Sequence, residues 1–353
     1  MRWTLVLLAV LAAGCVETRW DGEPSDHFDG RHFHNEEPFQ EGLADLVRFF
    51  LSREPGTWQR ELEPIDTPPP PRRVDSGTLR MTVIGHATVL VQADGVNLLT
   101  DPIWSDRASP LSWAGPHRYR PPGLAFEDLP PIDVVVISHN HYDHLDLPTL
   151  RRLDAEHDPT FIVPAGDQVI LRDNGITPVV PRDWGQGWEM PNGCRLTAVQ
   201  VRHWSGRRIL PSDRNLSLWT GYVMDTDGGP LYFAGDTGYE SHFTETRRAH
   251  GPIRAALLPI GAYRPRWLTE YQHLSPGDAV QAHLDLQSPF SVGIHHGTFK
   301  LANDDMNEAA DTLDERTAER GLAPDVFPPG REGTTYPVPP LPEATPCSSQ
   351  GIS

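Results

Sequence analysis

One short stretch, residues 133–144, constrains the fold and the chemistry of this chain more than any other. It contains a β-branched run from Val134 to Ile137, which predicts a strand buried on both faces. Metal-ligating side chains follow the run within six positions, namely His139, His141, Asp143 and His144. Neutral imidazole and carboxylate suit zinc, and Cys194 and Cys347 lack the spacing of a thiolate site. The motif therefore predicts a catalytic metal site rather than a structural one.

Downstream residues are needed to complete the site, because a single six-residue motif does not enclose a metal ion. His203 ends an alternating strand predicted from residue 196, Asp236 follows a predicted apolar strand at 231–234, and His295 follows the run Ser-Val-Gly-Ile. Gly235 and Gly238 permit a tight turn around Asp236. Since each polar residue stands at the C-terminal end of an apolar run, we expect all of them at one edge of a sheet. The alternative, a solvated loop that happens to be rich in histidine, explains this density of ligands less well.

Length and charge narrow the class of protein. The chain has 353 residues, and candidate ligands from both halves would form one site, which argues against separable domains. Its formal charge is -18, with 48 acidic and 30 basic residues. Nucleic acid is therefore disfavoured as a partner, because binding it depends on phosphate neutralisation. Anionic lipid would also repel the chain on average, so any approach to a membrane needs a local basic or apolar patch.

The N terminus has the pattern of a bacterial lipoprotein signal. Arg2 precedes the apolar residues 5–13, which are too few to span a bilayer, and Ala-Ala-Gly-Cys15 is typical of a lipoprotein processing site. We expect residues 1–14 to be removed and Cys15 to be lipidated, and Val16 then favours outer-membrane retention facing the periplasm. A plain signal peptide or a buried helix is the alternative. Export would place Cys194 and Cys347 in an oxidising compartment, which leaves their pairing open.

The rest of the chain divides into a tether, a core and a tail. Residues 15–76 form the tether, with a helix at 43–51 laid on the core and a stiff connector at 68–71. The alternative for this helix is contact with a membrane, which its lack of a basic stripe disfavours. Residues 77–336 form the core domain. Residues 337–353 are a Pro-rich tail that we expect to be poorly ordered beyond Pro337.

Strands and helices alternate within the core. Residues 81–84, 88–92 and 96–100 predict an antiparallel meander whose last two strands are joined through Asp94-Gly95. Helices are predicted at 147–156, 275–286 and 304–320. Ser275 is suited to cap the second helix, and Gly321 ends the third.

Several segments together resemble the N-acylphosphatidylethanolamine-hydrolysing phospholipase D family of the metallo-β-lactamase superfamily. They include Val-Ile-Gly-His-Ala-Thr, Leu-Leu-Thr-Asp-Pro-Ile-Trp-Ser-Asp-Arg, Phe-Ala-Gly-Asp-Thr-Gly-Tyr and Ile-His-His-Gly-Thr-Phe, and the resemblance covers residues 26–327. It implies an α+β fold, a four-layer αββα sandwich. It also implies that one zinc is held by His139, His141 and His203, that a second is held by Asp143, His144 and His295, and that Asp236 bridges them. The family usually has Trp where this chain has His296, so the choice of His295 rests on alignment to the motif.

The resemblance implies hydrolysis of the phosphodiester of N-acyl phosphatidylethanolamine to phosphatidic acid and an N-acylethanolamine. A hydroxide bridging two zinc ions would attack phosphorus, with Asp143 and Asp236 as the carboxylates of the catalytic centre. The sequence leaves open whether iron or manganese replaces one zinc. Two alternatives are another hydrolase of this fold, acting on a lactone or a small phosphodiester, and a non-catalytic metal-binding envelope lipoprotein. No obligate protein partner is inferred.

Other residues are candidates for supporting roles. Asp101 and His86 would orient metal ligands, although Asp101 before Pro102 also suits a simple turn. The resemblance places Tyr142, Gln272 and His273 near the scissile phosphate. His273 would protonate the leaving oxygen, or would merely lie at a helix start. Arg118 and Arg120 would bind a lipid phosphate through their guanidinium groups, or would belong to a solvated loop.

Overall fold

The fold is built on two β-sheets. A computed structural model describes residues 20–37, 48, 54, 56–60, 63, 65–208, 211–344 and 346–347. The strands, numbered along the chain, are β1 (Leu79–Gly85), β2 (Thr88–Ala93), β3 (Val96–Thr100), β4 (Val134–Val136), β5 (Thr160–Pro164), β6 (Val179–Arg182), β7 (Gly187–Glu189), β8 (Arg195–Val199), β9 (Gly221–Met224), β10 (Leu231–Phe233), β11 (Ala255–Pro259), β12 (Ser291–Ile294) and β13 (Thr335–Val338). One sheet has the order β13-β1-β2-β3-β4-β5-β6 and the other the order β12-β11-β10-β9-β8-β7.

Both sheets are mixed, and helices cover their outer faces. Strands β3 to β6 are parallel, as are β10 to β12, whereas the remaining neighbours are antiparallel. The helices are α1 (Leu147–His157), α2 (Gln168–Asp173), α3 (His242–His250), α4 (Arg266–Thr269), α5 (Pro276–Leu286) and α6 (Glu308–Glu319).

An apolar core lies between each pair of neighbouring layers. The central core joins the two sheets, with Val91 on one side and Tyr222 on the other. A second core packs Leu150 of α1 against the outer face of the seven-stranded sheet. A third packs Val280 of α5 and Leu313 of α6 against the outer face of the six-stranded sheet. The predicted αββα sandwich is therefore confirmed.

Most of the locally encoded elements lie where the sequence predicts them. The meander β1-β2-β3 is antiparallel, and its second turn has φ of 49° at Asp94 and 79° at Gly95, as a type I′ hairpin requires. Helix α5 begins after Ser275, whose side chain accepts from the Asp278 amide at 3.2 Å. The predicted helix at 304–320 begins only at Glu308, whose carboxylate accepts from the Asp305 amide at 2.9 Å.

The C-terminal segment is ordered, so the expectation of poor order beyond Pro337 is wrong for its described residues. Strand β13 pairs with β1, with Pro337 opposite Arg80, at an edge where proline is tolerated. The buried guanidinium of Arg254 donates to the carbonyls of Val338 at 2.6 Å and Pro339 at 3.0 Å. A disulfide then joins Cys347 to Cys194. These partners are far away in the sequence, which is why local composition does not reveal them.

The N-terminal predictions are only partly covered. The signal at 1–14, Cys15 and almost all of the 43–51 helix lie outside the described residues. Residues 20–37 are described, and their Phe28 and Phe33 pack with Trp219 on the core. Among the described residues, no helix has both the length and the apolar character needed to cross a membrane.

Candidate metal centre

The predicted ligands meet at one edge of the sandwich, beyond the C-terminal ends of strands. Strands β3 and β4 are parallel neighbours, so Asp101 and the loop at 138–144, which we call the ligand loop, leave their sheet side by side. In the other sheet, β12 ends directly before His295. Asp236 follows β10 after two residues, Ala234 and Gly235.

His203 reaches the same edge by a different route from the one predicted. Strand β8 ends at Val199, so the expectation that His203 ends this strand is wrong. His203 instead lies on the following loop, where its carbonyl accepts from the Asn35 side chain at 2.8 Å. Its Nδ1 faces the carbonyl of Gln272 at 3.0 Å, which leaves Nε2 directed at the other histidines.

The first cluster consists of His139, His141 and His203. Nδ1 of His141 lies 2.8 Å from Nε2 of His139 and 3.3 Å from Nε2 of His203. All three can present a nitrogen within 4.8 Å of the other two. Burial lowers the pKa of His141 to about 3 and holds the pKa values of His139 and His203 well below the ordinary value. The three imidazoles are thus neutral, which is the form that binds a metal.

The second cluster surrounds Asp143. Its Oδ2 lies 2.9 Å from Nε2 of His86, 3.3 Å from Nε2 of His144 and 3.3 Å from Nε2 of His295. These four side chains can all present ligand atoms within 4.8 Å of one another. His86 was predicted to orient a ligand, and its contact with the Asp143 carboxylate has the geometry for that role.

Asp236 lies between the two clusters. Its Oδ2 is 3.1 Å from Nε2 of His295, 3.2 Å from Nε2 of His144 and 4.0 Å from Nε2 of His203. Its Oδ1 is buried and has no hydrogen-bond partner among the described residues. One carboxylate therefore reaches side chains of both clusters and keeps an oxygen available.

The charge balance of the site fits metal ions. Burial disfavours charge on His144, but Asp236, Asp143 and Asp101 outweigh it and raise its pKa well above the ordinary value. At His295 burial also disfavours the charged ring, but the neighbouring carboxylate of Asp236 outweighs burial and raises the pKa of His295 to about 9. The buried carboxylates of Asp143 and Asp236 are thus stabilised by positive charge on their neighbours, and bound cations would supply that charge in place of protons. Oδ1 of Asp236 and Nε2 of His141 are buried and lack a hydrogen-bond partner within the described part of the chain.

Asp101 anchors the ligand loop from behind. Its Oδ2 accepts from Nδ1 of His144 at 2.6 Å and from the hydroxyl of Ser138 at 2.6 Å, and its Oδ1 accepts from the Ser138 amide at 2.7 Å. Fixing Nδ1 leaves Nε2 of His144 to face the two site carboxylates. The predicted orienting role of Asp101 therefore matches its contacts, and the simple-turn alternative does not account for them.

The adjacent histidines His295 and His296 have different surroundings. His295 contacts both Asp143 and Asp236. His296 has both ring nitrogens buried without a hydrogen-bond partner in the described part of the chain. Burial lowers the pKa of His296 to about 4. The structure thus brings His295, and not His296, into the cluster.

The candidate substrate residues Tyr142, Gln272 and His273 lie at the rim. Nδ1 of His273 is 3.8 Å from Oδ2 of Asp236. The Gln272 side chain accepts from the indole of Trp204, and the ring of Tyr142 lies 3.9 Å beneath the guanidinium of Arg207. Burial lowers the pKa of His273 to about 4. His273 is therefore a neutral hydrogen-bonding group at pH 7, and its protonation of the leaving oxygen stays a prediction.

Arg118 and Arg120 are held by protein groups, so their predicted contact with a lipid phosphate is not supported. Arg118 is only 3% exposed, and it donates to the carbonyls of Ile103 at 2.8 Å and Ser105 at 3.3 Å. Arg120 donates to the Asn307 side chain at 2.5 Å and lies 3.8 Å from Glu332. The guanidinium of Arg118 instead braces the loop that follows Asp101.

Sequence reasoning missed Arg207 on the His203 loop. Arg207 is half-buried and donates to backbone carbonyls of Asn140 at 2.7 Å and Leu145 at 2.9 Å. Its position shortly after a predicted ligand was the available signal, but partners more than sixty residues away are not visible in a local pattern. On the same loop, the ring of Trp204 packs against His141 with centroids 4.2 Å apart.

The chain belongs to the β-lactamase superfamily, since residues 96–296 match the family model described as the beta-lactamase superfamily domain. Its membership agrees with the four-layer fold and with the His and Asp clusters at the strand ends.

Individual relatives extend the match over most of the chain. An uncharacterized protein of Mycobacterium tuberculosis is 37% identical over 86% of this chain and 83% of its own length. The N-acyl-phosphatidylethanolamine-hydrolyzing phospholipase D 1 of Caenorhabditis elegans is 41% identical over 62% of this chain and 64% of its own length. Among solved structures, an isothiocyanate hydrolase from Delia radicum gut bacteria aligns with a TM-score of 0.59 at 20% identity, covering 73% of this chain and 98% of that one. That likeness concerns the fold alone.

Proposed function

We propose that this chain is a dinuclear zinc hydrolase of phospholipase D type, which cleaves the phosphodiester of N-acyl phosphatidylethanolamine. The observation that carries the proposal is Asp236, whose carboxylate lies between a cluster of neutral imidazoles and a cluster built on Asp143. Seven ligand side chains are more than one tetrahedral ion uses. In this proposal His139, His141 and His203 hold one metal, Asp143, His144 and His295 hold the other, and Asp236 bridges them.

Bound metal ions would supply a water nucleophile at neutral pH and neutralise charge on the phosphoryl oxygens. Side chains of the protein would orient the metal ligands and bind the substrate. Asp101 holds His144 in the tautomer that exposes Nε2, and His86 fixes the Asp143 carboxylate. His273, neutral and 3.8 Å from Asp236, would donate a hydrogen bond to the bound phosphodiester.

The choice of substrate is supported by the named relative from Caenorhabditis elegans rather than by the metal ligands, which do not specify a leaving group. The rim residues are consistent with a lipid substrate. Tyr142 lies on the ligand loop, and the ring of Trp204 lies beside it. Tyrosine and tryptophan suit a groove that is apolar at one end and solvated at the other, because each combines an apolar ring with one polar group.

We further propose that the protein is an envelope lipoprotein anchored through Cys15 and facing the periplasm. The disulfide between Cys194 and Cys347 supports export, because such bonds persist in oxidising compartments. Fractionating cells that express the wild type or Cys15→Ala tests the anchor. A Cys15→Ala protein that is exported and still stays with the membrane after a high-salt wash would contradict it.

The test of activity uses the purified, metal-loaded chain and three substrates: N-acyl phosphatidylethanolamine, plain phosphatidylethanolamine and bis(p-nitrophenyl) phosphate. We expect release of N-acylethanolamine and phosphatidic acid from the first, with the second turned over more slowly. Turnover of bis(p-nitrophenyl) phosphate alone would indicate a small-phosphodiester hydrolase. No turnover of any substrate by protein that holds two metal equivalents would contradict the proposed enzyme.

A further inference from the structure

Two separate loops must stay in register for the first cluster to form. His139 and His141 lie on the ligand loop after β4, whereas His203 lies on the loop after β8, which belongs to the other sheet. The side chain between the two histidines, Asn140, is 1% exposed. It joins the two loops directly, because its Oδ1 accepts from the Gly206 amide at 2.7 Å.

The other end of the Asn140 side chain is also occupied. Its Nδ2 donates to Oδ1 of Asp167 at 2.8 Å. Asp167 is fully buried, and it follows the end of β5 in the first sheet. The backbone N–H of Gly206 can only donate, and the carboxylate of Asp167 accepts. These two partners together fix the orientation of the Asn140 side-chain carboxamide.

Asn140 is suited to this position for a chemical reason. The site requires an acceptor and a donor on one short planar group, and a carboxamide provides both without any change of protonation. Aspartate here would set two carboxylates against each other, and alanine would remove the acceptor of the Gly206 amide and the donor to Oδ1 of Asp167.

We infer that Asn140 and Asp167 are positioning residues that hold His203 in register with His139 and His141, and so set the metal affinity of the first cluster. The inference rests on the proposed dinuclear site and specifies how the chain builds one half of it. His86, His144 and His295 of the second cluster make none of these bonds, so the effect should fall mainly on one metal. Partners that orient ligands typically contribute about 10–100-fold in metal affinity.

The experiment titrates metal-free full-length protein with Zn²⁺ by calorimetry and with Co²⁺ by visible absorption. Asn140→Ala should weaken one binding event by about 10–100-fold and leave the other within a few-fold of wild type. Asp167→Ala should weaken the same event. The double variant should lose less than the product of the single losses, because both residues act through one bridge. Asp167→Asn, which keeps an acceptor oxygen, should restore part of the affinity.

Asn97→Ala is the matched control. Asn97 is equally buried and donates to the carbonyls of Arg72 at 3.0 Å and Pro131 at 2.7 Å, but it lies near the start of β3, away from the ligand edge. This variant should lose stability in urea and keep both metal affinities. If it loses the same binding event, general destabilisation explains the result and the inference fails.

The remaining outcomes separate this inference from the proposed function. A wild-type chain that binds fewer than two equivalents contradicts the dinuclear proposal and this inference with it. A wild-type chain with two equivalents and an Asn140→Ala variant with unchanged affinities contradicts the inference alone. If Asn140→Ala does not fold, Asp167→Ala decides by the same titration, because it leaves the ligand loop unaltered.

Discussion

Asp236 is the residue on which both clusters depend. Replacing it with asparagine keeps its shape but removes the charge that His144 and His295 face at 3.2 and 3.1 Å. We expect Asp236→Asn to lower metal content and to reduce turnover by more than about 100-fold, beyond the loss caused by removing a ligand's outer partner. Metal analysis and turnover on bis(p-nitrophenyl) phosphate measure this. Asp311→Asn, on the exposed face of α6, is the control. Near-normal turnover with two metals bound would show that Asp236 does not bridge them.

The neighbouring residues His295 and His296 test whether the metal ligand is assigned to the right histidine of the pair. His295→Ala should remove one metal equivalent, because its Nε2 contacts both site carboxylates. His296→Ala should keep both metals, since among the described residues His295, and not His296, groups with the site carboxylates. Any loss in that variant should be one of stability, from the cavity it leaves. Metal analysis of the two variants side by side decides, and a metal-poor His296→Ala protein would contradict the assignment.

Metal binding should release protons from one cluster and not from the other. Without metal, His295 has a pKa of about 9 and the pKa of His144 is raised, so both carry a proton at pH 7. A cation must displace these protons, and the affinity of the second cluster should therefore increase as pH rises from 7 to 9. The imidazoles of the first cluster are already neutral, so its affinity should change little. Calorimetry in two buffers of different ionisation enthalpy counts the protons, and equal heats in both would contradict this.

Helix α5 has a side-chain cap at its start, and its contribution can be compared with that of α3, which lacks one. Ser275 and Asp278 form a reciprocal capping box at its start. Ser275→Ala should cost about 1 kcal/mol of unfolding free energy. Ser241 precedes α3 without a side-chain capping bond, so Ser241→Ala should cost only a few tenths. Urea unfolding compares the two, and equal losses would show that the capping box contributes nothing specific.

Elements that depend on neighbouring residues were predictable from the sequence. Hydrophobic periodicity and turn residues located the meander β1-β2-β3 with its Asp94-Gly95 turn, and a proline and a cap located α5. The ligands were found because they follow apolar runs, which end at one edge of a sheet. Features that depend on distant partners were not predictable. Arg254 orders the tail through carbonyls more than eighty residues away, and Arg118, which is buried, donates to the carbonyls of Ile103 and Ser105.

The ligand edge and the disulfide lie at opposite ends of the same strand, β8. Cys194 directly precedes β8, whereas His203 follows the other end of that strand. Strand β13 and the bonds from Arg254 hold the tail against the core independently of the disulfide. Stability and metal binding should therefore be separable in this protein.

The disulfide gives the corresponding prediction. It links residues 153 positions apart, and cross-linking so long a loop restricts the unfolded chain, which typically contributes about 2–4 kcal/mol. The double variant Cys194→Ser/Cys347→Ser should lose about 2–4 kcal/mol of unfolding free energy, seen as a lower urea midpoint. It should still bind two metal equivalents, because Asp227 can go on accepting from the residue 347 amide that lies 3.0 Å from it. A reductant should shift the unfolding midpoint of the wild type towards that of the variant and leave the variant unchanged. If the variant keeps the wild-type midpoint, the disulfide does not stabilise the fold; if it loses metal, the tail and the ligand edge are coupled and the separation argued from β8 is wrong.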